Sequence, residues 1–207
     1  MKKKKRKAAP RKKKKAPKVS AYHHGDLRQA LRDSAVAILE EEGLAALSLR
    51  AVARKAGVSH AAPYRHYPNH EALLVELAVE GFAELRAAIA LAAAAPNSRT
   101  DRITHIGGAY MRFAANHPAL TQLMFGSQLP NRDTTTELTN AADSIAEELG
   151  QALGDPALGL AAWAAVHGLA MLILDNVIDL GQRKSGMAVL PARAEILLRS
   201  LFNSVDD

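Results

Sequence analysis

From Asp26 onward the apolar residues of this chain recur at spacings of three and four and nowhere alternate with period two, so the chain must fold as packed helices. Asp26 is placed to cap a first helix, with Gln29 reaching back in a capping box. Leu27, Leu31, Ala35, Ile38 and Leu39 then form one stripe that Gly43 stops. Ser48 can cap a short helix running through Ala56 and ended by Gly57, and Ser59 can cap another to about His66. Pro68 closes that segment. Asn69 caps a long helix whose stripe is Leu73, Leu77, Gly81, Leu85 and Ala88, ending near Pro96. Gly and Pro punctuation predicts further helices over 99–116, 118–126, 134–153, 157–180 and 190–204, so the expected fold is all-α with about nine helices. The low aromatic content of 4% and the many Ala runs suit helices better than sandwiches.

Charge is distributed unevenly. Residues 1–18 hold ten Lys and two Arg and no acid, whereas the remaining chain has 15 basic and 21 acidic residues. Such a tail has little to bury and repels itself, which predicts disorder in isolation. Blocks of this kind serve as nucleic-acid patches or import signals, adsorb to anionic lipid, or merely solubilise. No apolar stretch follows to make it a secretory signal.

Several classes of function fall away. With no cysteine there is no disulfide framework, thiolate metal site or cysteine nucleophile. No glycine-rich phosphate loop, nucleophile elbow or suitable carboxylate pair is present, so the chain reads as a non-enzyme without cofactors. His66 and His70 are four apart, but Pro68 between them breaks the helix that would hold a metal pair, and no metal ligands are assigned. Pro156 to Leu174 is uncharged and long enough to span a bilayer. Its Ala, Gly and His content and its flanking acids instead suggest a helix buried in protein, and hence a soluble, cytoplasmic chain with no membrane partner.

Residues 47–73 read Leu-Ser-Leu-Arg-Ala-Val-Ala-Arg-Lys-Ala-Gly-Val-Ser-His-Ala-Ala-Pro-Tyr-Arg-His-Tyr-Pro-Asn-His-Glu-Ala-Leu. Ala53 is small where two helices cross, Gly57 supplies the turn, and Val52, Ala56 and Val58 pack the angle between them. The second helix is then free to present His60, Ala61, Tyr64 and Arg65 outward, as a major-groove reader requires. Of the tyrosines, Tyr67 is assigned to packing and Tyr64 to the surface.

This stretch, with its Ala-x-x-x-Gly-Val-Ser and Tyr-x-His-Tyr elements, resembles the TetR family of bacterial transcriptional regulators. Trp163, His167 and Gly168, with the segment from His117-Pro118 to Leu123-Met124-Phe125, resemble the subgroup with a Trp-His-Gly motif in its C-terminal domain. The resemblance implies a three-helix helix-turn-helix DNA-binding domain over 19–68 and a six-helix ligand-binding and dimerisation domain over 69–207. It further implies that Ser48 and Arg50 touch backbone or bases, that His60 and Ala61 lie nearest the base edges, and that Tyr64 and His66 contact phosphates; Ser59 and Arg65 are counted with them as DNA contacts, Arg65 together with His60 for base discrimination. His70 stands where the family usually has a Lys on a phosphate. Pro63, early in the recognition helix, should remove only one helical bond.

The remaining candidates are in the C-terminal part. Ala161, Ala165, Gly168 and Leu172 form a small-residue stripe suited to a dimer seam. Trp163, His167, Met171 and Leu174 form a larger one expected to face the interior. His105, Met111, Phe113, Met124 and Phe125 either line an apolar effector pocket with Trp163, His167 and Met171 or simply fill a core, and His167 suits a satisfied core histidine better than a ligand contact. The partners so implied are double-stranded DNA, a second copy of the chain and a small, partly apolar effector. The expected function is a sequence-specific regulator, in the family's usual mode a repressor released from a palindromic operator. A sequence-indifferent nucleic-acid compactor driven by the basic tail is the alternative.

Overall fold

A computed structural model describes residues 24–94, 98–129 and 135–202. The basic tail over 1–18 and the start of the expected N-terminal domain lie outside the described residues, as do Pro96 and Pro130. Among the described residues there are nine α-helices and no strand: α1 (His24–Glu42), α2 (Leu49–Lys55), α3 (His70–Ala93), α4 (Arg99–Asn116), α5 (Pro118–Phe125), α6 (Thr136–Leu153), α7 (Pro156–Leu174), α8 (Gln182–Ser185) and α9 (Leu190–Phe202). The all-α expectation holds, but the helices are not all the expected ones. The segment expected to be a helix from Ser59 to His66 forms a 3₁₀ turn at Pro63–Arg65 instead, and α8 stands in what reads as a loop.

Local chemistry accounts for most of the boundaries. Ser48 Oγ accepts from the Ala51 amide at 3.1 Å, and Asn69 Oδ1 accepts from that of Ala72 at 2.8 Å, so both expected caps are made. α1 is described from His24, so Asp26 lies inside the helix and not at the position before it. Gln29 does not reach back, since its Nε2 donates forward to Asp33 at 2.7 Å. α7 stops at Leu174 rather than continuing to 180. Asn176 adopts φ +59, and the amides of Asn176 and Val177 return to the carbonyls of Ile173 and Leu172, a Schellman closure built on Asn rather than Gly.

α3 runs from the first helices into the body of the molecule and buries Leu73, Leu74, Leu77, Ala78, Phe82, Leu85 and Ile89. α4 is the most enclosed helix, with Ile103, Ile106, Tyr110, Met111, Phe113 and Ala114 all buried. α6 and α7 cross intimately. A Cβ on Gly159 would sit 2.7 Å from the Gly150 nitrogen and 2.9 Å from the Leu149 carbonyl carbon, so only glycine fits there.

α7 alone among the described residues is long and apolar enough to cross a membrane by length and composition. The expectation that it is buried in protein needs correction, because only 28% of its apolar window is buried. The buried row is Gly159, Ala162, Val166, Ala170 and Ile173, set by the close crossing with α6. Both stripes read from the sequence flank this row. Trp163, His167, Met171 and Leu174 are half-buried on one side; Ala161 and Leu172 are exposed, and Ala165 and Gly168 partly exposed, on the other.

Candidate nucleic-acid interface and effector site

The head of the molecule is built from α1, α2 and the turn that follows. α2 ends where Gly57 takes φ +69, and the amides of Gly57 and Val58 return to the carbonyls of Arg54 and Ala53. That closure reverses the chain, and Leu49, Ala51, Val52 and Ala53 seal its inner side. Beyond it, the Ala62 amide bonds to the Ser59 carbonyl, that of Arg65 to Ala62, and those of His66 and Tyr67 to Pro63, at 2.9 to 3.2 Å. Pro63 has no N–H and its ring crowds the preceding turn, so three of these bonds span three residues and only that of Tyr67 to Pro63 spans four, as in an α-helix. Its effect is larger than the single lost bond expected from sequence.

The turn nevertheless presents the expected side chains. Ser48, Arg50, Ser59, His60, Ala61, Tyr64 and Arg65 are all exposed. Tyr64 is 53% exposed and Tyr67 1%, which divides the two tyrosines between surface and packing as the sequence indicates. His66 is half-buried against the Tyr67 ring. His70 is half-buried, and its Nε2 is enclosed without a hydrogen-bond partner among the described residues.

Tyr67 anchors a polar lock beneath the head. Its hydroxyl donates to Glu76 Oε1 at 2.9 Å, and Arg28 grips the same carboxylate through Nε at 3.0 Å and through Nη2. Arg32 pairs with Glu80 and lies 3.9 Å from Glu76. Burial pushes Glu76 toward protonation, but the hydrogen bonds from Arg28 and Tyr67 and the charges of Arg28 and Arg32 outweigh it and hold the carboxyl below its ordinary value. Burial, then the bond to Glu76, raises the Tyr67 hydroxyl. The sequence reading missed this lock, because a spacing of 48 residues between Arg28 and Glu76 leaves no local pattern.

In the body, the effector candidates separate. Phe125, Trp163 and His167 come together: the Phe125 ring is 4.3 Å from His167 and 6.2 Å from Trp163 between centroids, and 5.1 Å edge-on to Phe82. Met124 is fully buried on the same helix, and a Cβ on Gly81 would lie 2.6 Å from its sulfur. Met111 is buried in α4 and Met171 half-buried in α7. Phe113 turns instead toward His117, with ring centroids 5.2 Å apart. His105 is not in the interior at all; it is exposed, with Nδ1 at 2.7 Å from the Asp101 carbonyl. α4 turns its other faces inward, and position 105 falls on its wet side.

Tyr110 and Phe82 complete the cluster and were not among the sequence candidates. The Tyr110 hydroxyl lies 2.8 Å from His167 Nδ1, so His167 is a satisfied histidine. Burial raises the Tyr110 hydroxyl; the Trp163 indole opposes this, although its approach falls short of hydrogen-bond geometry. Among the described residues Trp163 Nε1 is thus buried without a hydrogen-bond partner. Beside it, Ile89, Ile103, Ile106, Leu149, Val166 and Leu198 help to enclose a cavity of only about 10 Å³, too small for any effector. Among the described residues no group of three or more His, Cys, Asp or Glu could hold a metal ion.

An exposed turn after a glycine-closed helix, seated on an all-helical body, is the architecture of a helix-turn-helix regulator. Family comparison agrees. Residues 31–77 match the family described as bacterial regulatory proteins, tetR family, and residues 103–187 match the tetracyclin repressor-like C-terminal domain. The chain belongs to the TetR family of transcriptional regulators, with a DNA-binding helix-turn-helix domain. The HTH-type transcriptional regulator Rv1816 of Mycobacterium tuberculosis is 33% identical over 94 residues, which is 44% of this chain and 40% of that relative's length. A protein of unknown function from Rhodococcus sp. RHA1 superposes with a TM-score of 0.68 at 34% identity, covering 88% of this chain and 98% of the other. A FadR regulator from Bacillus subtilis, solved with stearoyl-CoA, shares the fold with a TM-score of 0.65 at 14% identity, covering 83% and 97% of the two chains.

Proposed function

We propose that the protein is a homodimeric, sequence-specific repressor that reads a palindromic operator with one head per subunit and is released by a small, partly apolar effector. The observation that carries the reading is that one chain leaves two surfaces uncovered. One is the polar turn bearing His60, Ala61, Tyr64 and Arg65. The other is apolar, with Leu160, Leu172 and Val177 on and just beyond α7 and Ile196, Leu197 and Leu201 on α9 all exposed. Apolar side chains left bare along two long helices are what a second copy covers in a two-fold pairing. Ala161, Ala165, Gly168 and Leu172 form part of this seam; nothing lies within 4 Å of where a Gly168 Cβ would be. The head over 19–68, with α1, α2 and the 3₁₀ turn at Pro63–Arg65, and the body over 69–207 divide these tasks, and repression takes place on DNA in the cytoplasm.

The effector site is the aromatic cluster of Phe125, Trp163 and His167, with Met111, Met124 and Met171 as adaptable walls. The unpartnered Trp163 N–H favours a ligand carrying a hydrogen-bond acceptor, and the small existing cavity means that such a ligand opens the site as it enters. Phe113 and His105 stay outside it. The 12 basic residues of the tail add phosphate contacts that do not depend on sequence.

Selection from random duplex DNA at near-physiological salt, by the full chain and by a chain lacking residues 2–18, tests the reading. One palindrome enriched by both supports it. Binding without enrichment by either overturns it in favour of a sequence-indifferent compactor.

A further inference from the structure

Glu40 is a residue of α1, yet both its carboxylate oxygens serve another helix. Oε2 accepts from the Ala119 amide at 3.0 Å and Oε1 from the Leu120 amide at 2.9 Å, in the first turn of α5. Pro118, which opens α5, has no N–H, and its cap residue His117 makes no side-chain cap. The first two amides that α5 can offer are therefore both taken by a carboxylate from the head. Charge and direction suit this contact, since a helix N-terminus presents orphan donors and partial positive charge.

α5 joins two places. Its first turn is held by Glu40, and its last residue, Phe125, packs on Phe82, Trp163 and His167. Eight residues of helix make a strut roughly 12 Å long. Beside the Glu40 contact, one side of α1 stands off its neighbours, although Leu31, Ala35, Ile38 and Leu39 are buried on the other. A cleft of about 320 Å³ opens between them, with Val36 and Ala37 of α1 facing Leu77, Gly81, His117 and Leu120. Across this gap the two Glu40 bonds to α5 stand with the Arg32–Glu80 pair as the polar links that set the angle between head and body.

We propose that Glu40 is a positioning residue for DNA reading: by holding the first turn of α5 it fixes the angle of the α1–α2 head against the body, and so the separation of the two heads in the dimer. The proposal rests on the two-headed reading above. It makes half-site spacing, rather than half-site sequence, the property that Glu40 controls.

The test measures binding of the full-length protein to its selected operator and to operators with one or two base pairs inserted between the half-sites. It compares wild type with Glu40→Ala and with Glu40→Gln, which keeps one neutral acceptor. Thermal unfolding and amide exchange at Ala119 and Leu120 are followed in parallel. Wild type is expected to discriminate against insertion, Glu40→Ala to lose about tenfold of that discrimination while keeping its half-site preference, and Glu40→Gln to fall between them. Should Glu40→Ala not fold, Glu40→Gln carries the test. A folded variant whose amides at Ala119 and Leu120 exchange faster but whose spacing preference equals that of wild type overturns the proposal, as does a folded variant that loses half-site preference and spacing preference together. If wild type itself shows no spacing preference, the two-headed reading fails, an outcome distinct from a failure of Glu40.

Discussion

The head and the body of this regulator are stabilised in different ways. The head is small, and its ends are closed by backbone devices: the Ser48 cap, the left-handed Gly57 and the Asn69 cap. It is then tied down by charged bonds from Arg28 and Arg32 to Glu76 and Glu80. The body relies on burial, with α4 enclosed on most faces and α6 crossing α7 at glycine distance. A DNA reader must leave polar side chains free in solution, so one side of the head stays bare, and directional bonds supplement a small core that includes Leu31, Ile38, Leu39, Leu47 and Val52. The body has the opposite problem. It buries a large core but leaves Leu160, Leu172 and Val177 on and just beyond α7 and Ile196, Leu197 and Leu201 on α9 exposed, the surface that the proposed pairing would cover.

Each prediction presses on that contrast. The largest effect should come from the interior: Phe82→Ala removes a fully buried ring from the Phe125 cluster and should cost about 3–5 kcal/mol in urea unfolding. A loss below about 1 kcal/mol would mean that the body does not depend on this packing.

Glu76→Gln attacks the head's lock and should cost about 2 kcal/mol at neutral pH, since bonds to a charged group are removed from a carboxylate only 13% exposed. The sign with pH follows from the depressed carboxyl. Its contribution is complete above the ordinary carboxylate value of 4.5 and is lost as pH falls through the lower value it has in the fold. Wild type should therefore lose stability on acidification more steeply than the variant, and equal slopes in acid titrations followed by circular dichroism would remove the lock from the account.

Ser48→Ala should cost about 1 kcal/mol and weaken operator binding together with stability, because the same cap sets the start of α2. Arg112→Ala breaks an exposed 3.5 Å pair with Glu195 on the body and should change stability by no more than about 0.5 kcal/mol. A larger loss from Arg112 than from Glu76 would reverse the contrast between the two regions.

Local signals in the sequence marked most helix ends, because a cap or a left-handed glycine acts within three or four residues of itself. The exposure of Ser48, Arg50, Ser59, His60, Ala61, Tyr64 and Arg65 was legible for the same reason, as was the division between Tyr64 and Tyr67. The weakening of the recognition segment was half legible: Pro63 was visible, but not how far one missing N–H and a ring would convert a helix into a 3₁₀ turn. The end of α7 could have been seen in Asp175-Asn176, had Asn been weighed as a left-handed terminator alongside Gly.

What the sequence by itself determined is the all-helical class, the helix-turn-helix with its exposed side chains, and the asymmetry of charge, since each follows from spacing, composition or a turn only a few residues long. Which face of α7 is buried, whether His105 or Tyr110 joins the interior, and that Glu40 serves a helix some 80 residues away were decided by the tertiary structure. Those outcomes depend on which helix surfaces meet. An amphipathic pattern fixes that a face is covered, while close packing between particular helices fixes by what.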